Sequence, residues 1–120
     1  MASVKGVVER LAQIKGVVGS VLVAKDGLVV ASDLSVQVQD EIVAAMVSAV
    51  GSTAVKAAEM MEQGTLKNII IESESGKLFL SDTNIGYLGV LTAPDANIGL
   101  VRLELMEAAE VLKKLTGSGT

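Results

Sequence analysis

Few residues in this chain could do chemistry, and their spacing narrows what that chemistry could be. There is no Cys and no His. Their absence removes thiol nucleophiles, disulfides, imidazole bases and the usual zinc ligand sets. Carboxylates, hydroxyls and amines remain. Glu72 and Glu74 stand two apart at the end of an apolar run and would share one face of a strand. Such a pair could exchange protons, but beside a turn it reads as solubilising charge. Asp82-Thr83-Asn84 has the opening of a calcium loop without its later ligands or its closing Glu, and reads as a strand-ending turn. Gly16-Val17-Val18-Gly19 has the form of an RNA-clamping GxxG, yet a helix-to-strand turn explains both glycines. No phosphate loop or dinucleotide fingerprint is present, and no Ser–Lys spacing recommends nucleophilic catalysis. These observations point to a protein that is not an enzyme, with no catalytic residues, no cofactor and no metal.

The elements that would carry these residues belong to one domain. The chain has 120 residues, 50% of them hydrophobic and 20% charged, which argues against disorder and for a single core. Phe79 and Tyr87 are the only aromatics, so Val, Leu, Ile, Met and Ala must build that core. The net charge of −4 makes nucleic acid a poor partner, because phosphates need a basic face and bases need aromatic platforms. Lys5, Glu9, Arg10 and Lys15 break any signal-like apolar run, and Ala2 excludes myristoylation. The charge-free stretch Ile42 to Val55 falls short of the roughly 20 residues that cross a bilayer. A soluble cytoplasmic protein without membrane insertion is the expectation.

Periodicity predicts a helix over about 2–15, with Val4, Val7, Val8, Leu11 and Ile14 on one stripe, Ser3 as its cap and Gly16 as its stop. Strands follow at 17–24 and 28–32, joined by Lys25-Asp26-Gly27. Asp-Gly is a strong hairpin signal because both residues tolerate positive φ. A long helix spans about 38–63 and ends at Gly64. Three strands at 66–73, 77–82 and 87–92 precede a last helix, for which Asn97 is a candidate cap. That helix buries Val101, Leu105, Ala108, Leu112 and Leu115, while Leu103 and Met106 fall off the stripe. Residues 1–116 form the domain and 117–120 a flexible tail. The order is α-β-β-α-β-β-β-α, an α/β (α+β) fold with the sheet as the middle of three layers. Consecutive apolar residues in the strands imply that both sheet faces are covered.

The long helix carries the main signal. With residues about 100° apart, Val43, Met46, Val50, Ala54, Ala57 and Met61 share a face assigned to the sheet. Asp40, Glu41, Lys56, Glu59 and Glu62 mark the opposite side. In the middle turns that side loses its charges and presents Ala45, Ser48, Ser52 and Val55, flanked by Ala44, Ala49 and Gly51. Loss of charge is the mark of an interface core. A homodimer would satisfy the strip through a self-complementary two-fold contact; a plain Ala/Ser-rich exposed surface would also explain it. If Ile69 to Ile71 lie in an edge strand, edge pairing in the dimer would protect them.

Taken together and in order, these segments resemble the roadblock/LC7 family. The resemblance rests on Gly16 to Ser32 as the opening hairpin and on the small-residue helix around Ala44 to Ala58. It rests equally on Gly64-Thr65-Leu66-Lys67-Asn68-Ile69-Ile70-Ile71-Glu72 and on Asn97-Ile98-Gly99 entering the last helix. The resemblance implies a five-stranded antiparallel sheet between helices, in a roadblock/profilin-like arrangement. It implies dimerisation through the long helix and a sheet-edge strand. It also implies a role as regulator or co-activator of a small Ras-like GTPase, of the GTPase-activating type, or as a scaffold subunit like dynein light chains. Ala45, Ser48, Ala49, Ser52, Val55, Lys56, Glu59, Ile69 and Ile71 are the candidate residues for dimer and partner contact. Which flank of the helix is the seam and which the partner surface stays open at this level. Arg102 lies in the matching Asn-x-Gly segment, but nothing marks it as an arginine finger.

Overall fold

The computed structural model describes residues 3–35 and 39–116. The expected starts at Ala2 and Val38, and the tail at 117–120, lie outside the described residues. The elements are α1 (Val4–Ala12), β1 (Val17–Val23), β2 (Val29–Leu34), α2 (Asp40–Met60), β3 (Asn68–Ser73), β4 (Gly76–Thr83), β5 (Gly86–Thr92) and α3 (Ile98–Leu115). The order matches the sequence reading, with ends shifted by a few residues. Ser3 caps α1 by accepting from Gly6 N at 3.0 Å, and Asn97 caps α3 by accepting from Leu100 N at 3.0 Å. α3 therefore begins at Ile98, and Leu103 and Met106 stand on it as exposed residues.

The five strands form one antiparallel sheet in the order β2-β1-β5-β4-β3. Alternate residues feed two cores. Leu22, Phe79, Leu88 and Val90 meet Val8 and Leu11 of α1 and Val101, Leu105 and Leu112 of α3. Val21, Val23, Leu80 and Tyr87 meet Ala44 and Val47 of α2. Two helices thus cover one sheet face and a single helix the other. The consecutive apolar residues of β1 and β5 follow from this double burial.

The first hairpin differs in its turn. Gly27 N donates to Ala24 O at 2.8 Å and Ala24 N to Leu28 O at 2.9 Å, and of the turn residues only Gly27 has positive φ, at 93°. This is a type I turn followed by a glycine bulge, so Asp26 keeps an ordinary backbone and only Gly27 needs glycine's freedom. A second irregularity lies at the β2 edge. Leu22 pairs with Ala31 and Val23 with Val29, which leaves Val30 as an extra, exposed residue.

α2 ends before the expected stop at Gly64. Gln63 N donates to Ala58 O and Glu62 N to Glu59 O, at 2.8 and 3.1 Å. This pair of bonds is the Schellman arrangement, with Glu62 itself in the left-handed position at φ 58°.

Candidate interaction surface on helix α2 and strand β3

α2 starts where Asp40 accepts a hydrogen bond from Ser32 Oγ of β2. Its acidic first turn, Asp40 and Glu41, suits the positive end of the helix dipole. From there the helix buries Ala44, Val47 and Gly51. The structure corrects part of the face expected on the sheet: Val43 and Val50 pack there as expected, but other residues of the stripe do not. Met46 and Met61, assigned to the core, are 59% and 67% exposed. Ser48 and Val55, assigned outward, are partly buried. Val55 packs against the α2-side core, and Ser48 Oγ donates to Lys25 O at 3.1 Å. The face is turned by about a quarter of a revolution from the hydropathy assignment.

The reason lies in residue size. The hydropathy stripe put the bulkiest apolar residues against the sheet. The space over Tyr87 admits no side chain at all, and Gly51 fills it. A lone glycine in a helix is the signal that could have fixed the face, because it marks close approach. Once Gly51 is inward, Ile42, Ala45, Met46, Ala49, Ser52 and Thr53 point out, and all are exposed. Lys56 and Glu59 border this strip and are exposed as well. The outward surface is thus more apolar than the sequence reading made it, with Ile42 and Met46 added to the small residues. By length and composition α2 could cross a membrane, yet only 17% of its most apolar window is buried here. Val43, Val50 and Val55 pack partly against the core, whereas Ile42 and Met46 are left outside it.

β3 is an edge strand. Its ladder to β4 runs unbroken from Asn68↔Ser81 to Ser73↔Gly76. The opposite edge, β2, is broken by its bulge, a device that discourages pairing with another sheet. β3 has no such device among its described residues. Ile69 packs partly into the α2-side core, whereas Ile71 on the same face is exposed. Ile71, Leu78 and Leu91 line a shallow depression on the sheet that α2 leaves open.

The groups weighed for chemistry do not converge. Asp82 is held by Lys25 at 2.6 Å, Thr83 Oγ1 bonds within its turn to Gly86, and Asn84 Nδ2 donates to Thr116 Oγ1 at 3.0 Å. They make the strand-ending turn expected of them. Glu72 and Glu74 are exposed on β3 and its turn. Gly16 lies in the turn before β1 and Gly19 inside that strand, so the GxxG forms no clamp. Ser20 Oγ is buried without a hydrogen-bond partner; Asp33 and Val90 flank it across the ladder. Among the described residues no three acidic side chains are grouped to hold a metal.

Comparison with known proteins agrees with this geometry. The family model described as the Roadblock/LC7 domain matches residues 4–92. The uncharacterized protein MJ1340 of Methanocaldococcus jannaschii is 43% identical over 101 residues, which cover 84% of this chain and 89% of that protein. Among solved structures, Myxococcus xanthus MglB superposes with a TM-score of 0.88 at 22% identity, covering 96% of this chain and 95% of its own. Profilin II of Acanthamoeba castellanii shares the arrangement at a TM-score of 0.66 and 16% identity, over 98% of this chain and 100% of its own.

Proposed function

Because this chain belongs to the Roadblock/LC7 domain family, we propose that it is a homodimeric, non-catalytic regulator of a small Ras-like GTPase, acting in the cytoplasm. The observation that carries the reading is the outward face of α2, whose apolar residues the chain's own sheet does not bury. Exposed apolar surface of this extent marks a place where proteins dock.

The surface divides into two parts in this reading. The seam between copies joins the regular edge of β3 with the neighbouring flank of α2. Met46 of each copy then covers the open depression at Ile71 and Leu78 of the other. Pairing β3 with its two-fold mate satisfies its free backbone groups and closes the remaining good edge. Ala45, Ala49, Ser52 and Lys56 stay outward and, doubled by the dimer, form the platform for the GTPase. Ser48 and Val55 serve the platform from behind by fixing α2 to the first hairpin and the core.

Regulation on this platform works through binding alone. The only two arginines, Arg10 and Arg102, stand on α1 and α3, across the sheet from α2. No guanidinium from this chain reaches a nucleotide held over α2. The dimer would instead favour the hydrolysis-competent conformation of the GTPase by binding it more tightly than the alternatives.

The test is single-turnover GTP hydrolysis by Ras-like GTPases of the same organism, with and without the purified dimer. Faster hydrolysis is the expected result. Binding without acceleration would favour a structural adaptor, and failure of every such GTPase to bind would overturn the reading.

A further inference from the structure

We infer that the outer face of α3 pairs with α3 of a second copy of this chain about a two-fold axis. The starting point is a conflict between position and polarity. α3 buries Val101, Leu105, Ala108 and Leu112, yet Leu103 and Met106 are 54% and 53% exposed and Leu100 beside them is exposed too. Neither neighbour of α3 covers them. On one flank Glu104, Glu107 and Val111 face α1 across a groove of about 280 Å³. On the other, Met106, Ala109 and Glu110 border the chain entering β3 across an open groove that also holds Lys67 and Lys113. Single exposed apolar residues are ordinary, but three on adjoining turns of one helix make a patch.

The charges around the patch indicate what covers it. Arg102, Met106 and Glu110 form one i, i+4 row, and all three are exposed. The row runs cation, apolar, anion, and is its own complement when reversed. Two helices crossing at about −50° lay such rows side by side. A two-fold axis through the crossing reverses one row against the other. Met106 then meets Met106 of the second copy, with Leu103 adjoining, and Arg102 meets Glu110 of the second copy on each side. Arg102 has no ion pair within its own chain among the described residues. The pair of Glu110 with Lys113 is 3.6 Å long and largely exposed, so it competes weakly. One helix face offers less than the ~1,200 Å² of a standard stable interface, so the association is weak and grows with concentration. It uses none of the α2 and β3 surface. The two contacts together would join dimers into four-chain assemblies.

The chain has no Cys, so one introduced thiol reports the axis cleanly. Under mild oxidation Met106→Cys should cross-link two copies at least about tenfold faster than Lys5→Cys, because the paired helices raise the effective thiol concentration. Adding Arg102→Glu should lower the rate to that of Lys5→Cys, and adding Glu110→Arg as well should restore it. Thermal melting of each variant confirms that it remains folded. A Met106→Cys rate no higher than that of Lys5→Cys, or a charge swap that restores nothing, overturns the inference. Sedimentation separates this outcome from the fate of the α2–β3 dimer. If only α3 pairs, Met106→Cys still cross-links in a protein whose mass stops at two chains.

Discussion

Gly51 of α2 lies so close to Tyr87 of β5 that a Cβ on it would stand 2.6 Å from Cζ of the ring. Tyr87 is buried, and Lys25 Nζ sits 4.7 Å from its ring centroid while bonding Asp82. The ring therefore cannot swing aside without disturbing the hairpin turn. On an exposed helix Gly→Ala would stabilise by about 1 kcal/mol. Here the clash outweighs that gain. Gly51→Ala should destabilise the fold by about 1–3 kcal/mol, the usual range for overpacking, as read by urea unfolding. A more stable variant would show that α2 can lift from the sheet at little cost.

Glu62 carries the opposite expectation. It is the one non-glycine residue with positive φ among those described, at 58°, in the position of the α2 terminus that glycine normally takes. A left-handed backbone costs a side-chain-bearing residue roughly 1 kcal/mol or more. Glu62 is exposed and forms no ion pair among the described residues, so little is lost with its side chain. Glu62→Gly should raise stability by about 0.5–1 kcal/mol, visible as a higher melting temperature. An unchanged or lower value would mean that the Glu62 side chain contributes something the cap geometry does not reveal.

The order of elements and the antiparallel first hairpin were legible because each rests on local signals: β-branched runs, Asp-Gly and the caps at Ser3 and Asn97. The edge position of β3 entered only as a condition, since strand order has no local signature. The rotation of α2 was not legible from hydropathy. Its outward residues Ile42 and Met46 are as apolar as its inward ones, so the stripe pointed the wrong way by about a quarter turn. Apolar residues that the chain leaves exposed look like core when only the hydropathy stripe is read. Ser48 was misplaced for a related reason. Its inward role is a hydrogen bond to Lys25 O, a tertiary contact with no periodic signature. Leu103 and Met106 were seen to leave the α3 stripe, and their exposure is the physical content of that irregularity.

Self-association should depend on Met46 and Ile71. Both are exposed, so a charge at either leaves the monomer's core intact. Met46→Glu and Ile71→Glu should each weaken the dimer by about 2 kcal/mol or more, near thirtyfold in dissociation constant, if they lie at the centre of the seam. Light scattering on a dilution series, paired with thermal melting, separates loss of association from loss of folding. Dimers of wild-type strength in both variants would move the seam away from β3.

The platform is best tested at Ala49 rather than Ser48. An arginine at Ser48 would break the hydrogen bond to Lys25 O and crowd Gly27, close enough that a Cβ added to Gly27 would stand 3.7 Å from Ser48 Cβ. Reduced binding by Ser48→Arg would then mix a damaged hairpin contact with a blocked surface. Ala49 makes no such contact and is exposed, next to Ala45 and Ser52 on the same face of α2. Ala49→Arg should therefore melt like wild type and remain dimeric. It should lose about 2 kcal/mol or more of affinity for the cognate GTPase, because a long charged side chain would be buried at the centre of a low-charge contact. Arg10→Ala, on the far face of the sheet, should leave binding and hydrolysis unchanged. Titration of the GTPase with each folded variant reads all of these outcomes. An Ala49→Arg dimer that binds at wild-type strength would place the GTPase elsewhere on the molecule, and loss of activity in Arg10→Ala would point to the α1 face.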